Sequence, residues 1–210
     1  MKHVDIVQTC IMRENIKLSV TRRPNYSEGS EESFLLTMKP YIKELKEKKE
    51  LFPRTVVYCN LKWCGVGYEE CCRNLSSKDT KEFVAQFHAP CTQEMKKSVV
   101  DSMKEYGKTR LLFATEAYSM GTDTPNISRI VHFGVPKSIS SYMQEVGRCG
   151  RNGHDSEAVM FYNNNDIAKN VRGLDPVMVE FCRTSDCRWQ FICQYFGCMH
   201  PCYRNGNHMC

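Results

Sequence analysis

Short apolar runs alternate with amphipathic segments along most of the chain. The runs at residues 55–59, 110–115, 129–134 and 157–162 are rich in β-branched and aromatic residues, which is typical of buried strands. A further candidate strand is EFVAQFHA, which starts at Glu82. Between these runs, apolar residues recur every three or four positions. This spacing predicts helices packed on one face.

The first predicted helix carries its apolar residues at Phe34, Met38, Ile42 and Leu45. Pro40 interrupts this pattern, so we expect the helix to begin near the proline or to kink there. Two further helices are expected to begin at Thr92 and Ser138, because these hydroxyl side chains can cap a helix. Residues 175–196 also have helical character, with a break near residues 184–186.

The order of strands and helices predicts an α/β fold with a mainly parallel sheet flanked by helices. This alternation extends to about residue 163, and the polar residues 1–30 are expected to be irregular. We therefore expect one lobe over residues 1–163 and a short helical extension over residues 164–210. Ligands of such sheets bind at loops beyond the carboxyl ends of the strands, so chemistry is expected after Thr115 and Gly134.

The amino-acid composition excludes some classes of protein but does not by itself indicate a function. Hydrophobic residues make up 41% and charged residues 25%, which is ordinary for a globular protein, and the net charge of +5 is compatible with a polyanionic partner. No apolar run approaches the ~20 residues of a membrane span, and the first residues lack the apolar stretch of a signal peptide. We expect an intracellular protein, in the nucleus or cytoplasm, that is not secreted and has no membrane partner.

Cysteine is unusually frequent. There are 13 cysteines, an odd number, in 210 residues. In an intracellular protein this predicts buried thiols or metal ligands rather than a disulfide framework. A cluster near the end of the chain comprises Cys182, Cys187, Cys193, Cys198, Cys202 and Cys210.

The most informative segment is QEVGRCGRNG, at residues 144–153. It sets Arg148 and Arg151 three positions apart, each directly after a glycine, a spacing that can aim both guanidinium groups the same way. Guanidinium makes bidentate contacts to phosphate, and an arginine finger stabilises the charge that develops on a γ-phosphoryl group during its transfer. The other interpretation is an exposed basic loop that binds nothing.

This segment resembles motif VI of superfamily 2 helicases in its RecQ form, QExGRxGRDG. ATEAYSMGTDTPNISRIVHFGVPKSISSYMQE, which precedes it, resembles RecQ motif V and the linker to motif VI. VVYCN resembles motif IV, FHAPC resembles the RecQ segment YHAGL, and CRWQFICQYFG resembles the opening CRRxxLLxYFG of the RecQ zinc-binding module. The chain thus resembles the second, C-terminal RecA-like lobe of a RecQ-type DNA helicase, followed by the start of its zinc-binding module.

The resemblance implies roles for residues around the nucleotide. Arg151 matches the arginine finger, and Arg148 matches its companion near the γ-phosphate. Gln144 matches the motif VI glutamine that couples the nucleotide and DNA sites. Gly121 and Asp123 match motif V, in which the aspartate lies near the ribose. The implied cofactor is ATP with Mg²⁺, held between this lobe and a first, ATP-binding lobe.

The resemblance also implies contacts to nucleic acid. Asn60 and His88 lie in segments that face the tracked strand, and Thr115 matches a hydroxyl close to a DNA phosphate. The implied activity is that of a 3′-to-5′ DNA helicase acting on single-stranded and forked DNA.

The sequence departs from the family pattern at motif IV. Its usual Ser-Arg is Leu61-Lys62 here, so a fork-shaped donor is replaced by a point charge.

Neither a GxxxxGK[ST] loop nor a DExH box occurs in the sequence. Both features belong to the first lobe of such helicases, so we expect the chain to be inactive as an ATPase by itself. Two alternatives remain. The chain could be a non-catalytic lobe that only binds nucleic acid, or it could be the lobe of an RNA helicase, against which the cysteine-rich tail speaks.

The resemblance implies zinc ligands in the tail. Cys187 matches the first cysteine of the zinc-binding module and Cys210 matches the second, so the site is expected to be incomplete. Structural zinc sites have four ligands. The alternative is a local site, completed from Cys198, His200, Cys202 and His208.

Overall fold

A single six-stranded parallel sheet forms the centre of the molecule. The computed structural model describes residues 11–23, 29–104, 106–119 and 127–198. In these residues the strand order is β1-β6-β5-β2-β4-β3, and every neighbouring pair is parallel. The strands are β1 (Ile16–Arg22), β2 (Thr55–Tyr58), β3 (Val84–Phe87), β4 (Leu111–Ala114), β5 (Arg129–Phe133) and β6 (Ser156–Tyr162). The predicted fold class is confirmed.

Seven α-helices occur in the described residues. They are α1 (Ser30–Lys48), α2 (Leu61–Asn74), α3 (Ser77–Phe83), α4 (Gln93–Ser102), α5 (Ile139–Val146), α6 (Pro176–Arg183) and α7 (Arg188–Tyr195). The predicted caps are present. Thr92 accepts a hydrogen bond from the Met95 amide at 3.2 Å, and Ser138 accepts one from the Ser141 amide at 3.1 Å. These bonds satisfy amides that the first turn of a helix leaves without a partner.

The two faces of the sheet carry separate hydrophobic cores. Alternate residues of a strand point to opposite faces, so Val56 and Tyr58 belong to one core and Val57 to the other. Helices α1, α2 and α3 cover the face of Val57. Helices α5, α6 and α7 cover the face of Tyr58, together with Met103 beyond α4. Both faces of the sheet are therefore buried, as expected for parallel strands.

Two sequence-based expectations about the first third of the chain are wrong. Residues 1–30 contain a strand, β1, whose alternating residues Ile16 and Leu18 are buried. Helix α1 begins at Ser30, well before Pro40, and continues through it. Pro40 is exposed, so water can take the place of the amide donor that proline lacks.

The candidate strand at EFVAQFHA is shorter than expected, because its first residues end a helix. Glu82 and Phe83 belong to α3, and β3 follows directly as Val84–Phe87. Phe83 is buried and packs from a helix rather than from a strand. An apolar run of this length does not distinguish the two possibilities.

The helices after β6 pack on the lobe. Met178, Phe181, Trp189 and Ile192 belong to the same core as α5, and the Trp189 indole donates a hydrogen bond to the Ile16 carbonyl at 2.9 Å. The division at residue 163 coincides with the end of β6 but stays a prediction. In the described part of the chain, no helix has the length and apolarity needed to cross a membrane.

Candidate functional site

A cleft of about 530 Å³ lies beyond the carboxyl ends of the central strands β2, β4 and β5. Parallel strands place all their carboxyl ends at one edge, so residues far apart in sequence meet there. Two predicted nucleic-acid residues, Asn60 after β2 and Thr115 after β4, line this cleft. Lys137 also lines it and is exposed. The cleft therefore combines amide, hydroxyl and ammonium groups, which suit a sugar–phosphate backbone.

Asn60 has two roles in the structure. Its side-chain oxygen accepts a hydrogen bond from the Trp63 amide at 3.3 Å and so caps α2. Its side-chain NH₂ group has no partner among the described residues and is free to donate. The third predicted contact, His88, follows β3 and does not line the cleft. Its imidazole lies 3.4 Å from the Cys91 sulfur.

Helix α5 ends in the loop that carries the two predicted nucleotide-binding arginines. The Arg148 amide donates to the Glu145 carbonyl at 3.2 Å, just beyond the last helical residue. The Arg148 side chain is buried, donates to the Ser119 carbonyl and lies over the Tyr118 ring. Arg151 is exposed. The loop therefore carries one buried and one exposed arginine, and a shared direction of the two guanidinium groups stays a prediction.

Two residues that sequence reasoning missed hold this loop in place. Arg13 donates hydrogen bonds to the carbonyls of Gly147 and Gly150, and Asn15 donates to the Gly150 carbonyl at 2.8 Å. Gly150 has φ +62°, and a Cβ there would crowd the Asn15 amide. Only glycine fits this turn without strain. The signal was the asparagine immediately before the alternating residues of β1.

Five predicted site residues are not among those that line the cleft in the described structure. Gln144 is exposed on α5 and does not line the cleft. Gly121 and Asp123 lie outside the described residues, as do Cys202 and Cys210. The roles implied for these residues stay predictions.

Cys187 directly precedes α7 and is disulfide-bonded in this structure. Zinc binding would require its reduced thiolate. Across residues 11–198, leaving out the undescribed gaps, no group of three or more His, Cys, Asp or Glu side chains is placed to hold a metal ion. The expected zinc site therefore has no support from the described part of the tail.

The floor of the cleft contains a buried hydrogen-bonded pair, His132 and Glu145, that the sequence did not reveal. His132 Nε2 lies 2.8 Å from Glu145 Oε2, and both side chains are almost fully buried. The His132 ring stacks on Tyr58, its partner across the sheet, with ring centroids 5.4 Å apart. Burial raises the pKa of Tyr58 well above its ordinary value. Tyr58 therefore keeps its hydroxyl proton at neutral pH.

A second charged pair lies at the edge of the cleft. Arg23, just after β1, bonds Asp166 at 2.9 Å and stacks on the Phe133 ring at 4.2 Å. Burial lowers the pKa of Arg23 and raises that of Asp166, and in both cases this outweighs their mutual attraction. Such a pair contributes little to stability because desolvation is costly. It does fix a guanidinium group beside the cleft.

Comparison with known proteins agrees with this geometry. The model of the helicase conserved C-terminal domain matches residues 38–153. ATP-dependent DNA helicase RecQ of Bacillus subtilis is 36% identical over 115 residues, covering 47% of this chain and 20% of that protein. ATP-dependent helicase wrn-1 of Caenorhabditis elegans is 31% identical over 163 residues, covering 77% and 14%. The chain thus spans about a fifth or less of these relatives.

Solved structures show the same fold at lower sequence identity. The C-terminal domain of the DEAD-box protein Dbp5 superposes with a TM-score of 0.56 at 18% identity, covering 88% of this chain and 87% of that domain. Helicase MrfA bound to DNA and AMPPNP gives a TM-score of 0.60 at 17% identity, covering 78% and 21%.

The parallel sheet and the arginine-bearing loop after α5 thus define the C-terminal RecA-like lobe of a helicase. The chain belongs to the helicase conserved C-terminal domain family, in its RecQ branch.

Proposed function

We propose that this chain is the second motor lobe of an ATP-dependent DNA helicase. The single observation that carries the proposal is the position of α5 (Ile139–Val146). One side of this helix lines the cleft through Glu145, and the loop at its end carries Arg148 and Arg151. Helix α5 therefore connects the cleft, which suits a nucleic-acid strand, with Arg148 and Arg151, which suit a nucleotide.

ATP with Mg²⁺ would bind between this lobe and a first lobe that carries the phosphate-binding loop. The exposed Arg151 would reach across to the γ-phosphate as a finger, and the buried Arg148 would hold the loop and support it. Gly121, Asp123 and Gln144 would complete this side of the nucleotide site, as the RecQ resemblance implies. Movement in the 3′-to-5′ direction follows from the same resemblance.

DNA is the proposed partner because the curated sequence relatives are named as DNA helicases. The solved RNA-bound neighbours are below 25% identical and share the fold alone. Asn60, Thr115 and Lys137 would contact the phosphates of a single strand or of a fork, and His88 would face the strand beyond the cleft. Zinc would bind through Cys187 together with Cys210 or Cys202 once the Cys187 disulfide is reduced.

Binding of the 210-residue chain to labelled single strands of about 12 nucleotides tests the proposal. We expect weak binding without sequence preference that falls steeply between about 50 and 200 mM salt, because the contacts are mainly to phosphate. Lys137→Gln should weaken binding severalfold and reduce the salt slope by about 0.7. Lys43→Gln, which removes another exposed charge, from α1, is the matched control and should change neither quantity.

Salt-independent affinity would contradict the proposal, and so would equal affinities of the two variants. Stronger binding to an RNA strand than to a DNA strand of the same length would instead favour the RNA-helicase alternative.

A further inference from the structure

The floor of the cleft contains buried polar atoms that have no hydrogen-bond partner among the described residues. They are Arg23 Nε, Tyr58 Oη and His132 Nδ1. Buried polar groups in folded proteins are nearly always hydrogen-bonded, so each exception calls for a ligand or a water. Here three exceptions converge on one cleft. This arrangement indicates a floor that is completed by a polar group entering from the mouth.

His132 also contacts α5 through a hydrogen bond. Its Nε2 atom bonds the Glu145 carboxylate on α5 at 2.8 Å. Its Nδ1 atom has no partner among the described residues, and the histidine lines the cleft. A carboxylate accepts only, so Nε2 donates to Glu145, and Nδ1 is an acceptor when Nε2 carries the only ring proton. A water that donates one hydrogen to Nδ1 and the other to a strand phosphate would satisfy both groups.

Glu145 is in turn connected to the nucleotide-binding loop by the backbone. Its carbonyl accepts the Arg148 amide at 3.2 Å, and the neighbouring carbonyl of Val146 accepts the Cys149 amide at 3.0 Å. The turn that holds Arg148 therefore begins at the residue whose side chain contacts His132. Arg13 and Asn15 hold the loop from its other side.

We propose that His132 and Glu145 form a positioning relay, through which a strand phosphate in the cleft sets the position of the arginines after α5. The relay rests on the proposed function, since it assigns the strand to the cleft and the nucleotide to the loop. Its two members touch neither the nucleotide nor the scissile bond. They act through Arg148, and they make the loop responsive to occupancy of the cleft.

Two substitutions of His132 separate a relay from a simple fastening of α5 to the sheet. His132→Gln places a side-chain NH₂ near the position of Nε2 and keeps a donor for Glu145, but it loses the acceptor at Nδ1. His132→Asn keeps a polar atom near Nδ1 but is too short to reach Glu145. A fastening needs only the Glu145 bond, whereas a relay needs both.

The test follows backbone amide NMR signals of the ¹⁵N-labelled 210-residue chain during titration with oligo-dT. In the wild type, amides lining the cleft (Gly134, Lys137) and amides of the loop (Gly147, Arg148) should shift with the same midpoint. In both His132 variants the cleft shifts should persist, while the loop shifts fall by about twofold or more. The ring ¹⁵N signals of His132 should also move when DNA binds to the wild type.

Each outcome decides something. Loop shifts that persist in His132→Gln would show that the pair only fastens α5, and would overturn the relay. Loop shifts that are absent in the wild type while cleft shifts occur would overturn it as well and leave the proposed function intact. If the cleft amides do not respond to DNA, the proposed function fails and the relay fails with it. Thermal unfolding within about 2 °C of the wild type confirms that a variant is folded.

Discussion

At the scale of single residues, the contrast between Arg148 and Arg151 is the most informative feature. Arg148 is buried and fixed by the Ser119 carbonyl and the Tyr118 ring, whereas Arg151 is exposed. A group that meets charge developing in a transition state must reach a ligand outside its own lobe, and only an exposed side chain can do so. Arg151 therefore fits the finger and Arg148 fits its support.

We expect Arg151→Ala to lower ATP hydrolysis by about 10³-fold or more in a protein reconstituted with a RecQ first lobe, with little change in ATP affinity. The charge that Arg151 meets develops only in the transition state. Arg151→Lys should not restore the rate, because lysine lacks the planar fork. Phosphate release and nucleotide binding measure the two effects.

Arg73→Ala is the matched control for this substitution, since Arg73 is an exposed arginine on α2 and pairs only with Glu69 and Glu70. It should leave hydrolysis unchanged. A normal rate in the Arg151→Ala protein would remove the finger assignment.

At the scale of elements, α2 shows how closely a helix approaches the sheet. Gly67 is buried against Phe113 of β4, and a Cβ at this position would overlap the aromatic ring. Gly65, on the same helix, has no atom within 4 Å of an added Cβ. An added methyl group would therefore clash at Gly67 but not at Gly65, although both glycines belong to α2.

We expect Gly67→Ala to destabilise the chain by ~1–3 kcal/mol, because Phe113 would have to leave its rotamer or α2 would have to move away. Gly65→Ala should stabilise it by ~0.5–1 kcal/mol, because alanine is the better helix former. Urea unfolding of the two variants measures both. Equal effects of the same sign would show that α2 is not packed as described.

The elements also show what the sequence could predict and what it could not. Local patterns were sufficient for the strands β2, β4, β5 and β6 and for the caps at Thr92 and Ser138. Those features depend on residues a few positions apart. The contacts of Arg13 and Asn15 with Gly150 span 135 or more positions, and no local pattern contains them.

The His132–Glu145 pair was missed for a different reason. A histidine in an apolar strand and a glutamate in an amphipathic helix are each unremarkable on their own. Their relation depends on the angle at which α5 crosses β5, and this angle is set by packing of side chains such as Tyr142. Periodicity predicts which face of a helix is buried, but not which partner it meets.

At the scale of the whole molecule, the chain should not hydrolyse ATP by itself. The described lobe offers Arg148 and Arg151, but a phosphate-binding loop and the carboxylate for Mg²⁺ are absent from the sequence. We expect no DNA-stimulated phosphate release above background from the purified 210-residue chain. Turnover of about 1 s⁻¹ would be ordinary for an enzyme, and its observation would reveal a nucleotide site elsewhere in the chain.

The pairing of β1 with β6 has a consequence for synthesis on the ribosome. Among the described strands, β1 has β6 as its single neighbour, and the paired residues Ile16 and Ser156 are 140 positions apart. β1, the first of these six strands to be made, must therefore wait, unpaired, until β6, the last of the six, has been made. Closing so long a loop is slow, and an unpaired strand edge is open to the wrong partner in the meantime. A nascent chain stalled before residue 156 would thus expose β1 as an unpaired strand that can aggregate. A chaperone that binds this strand would prevent such pairing.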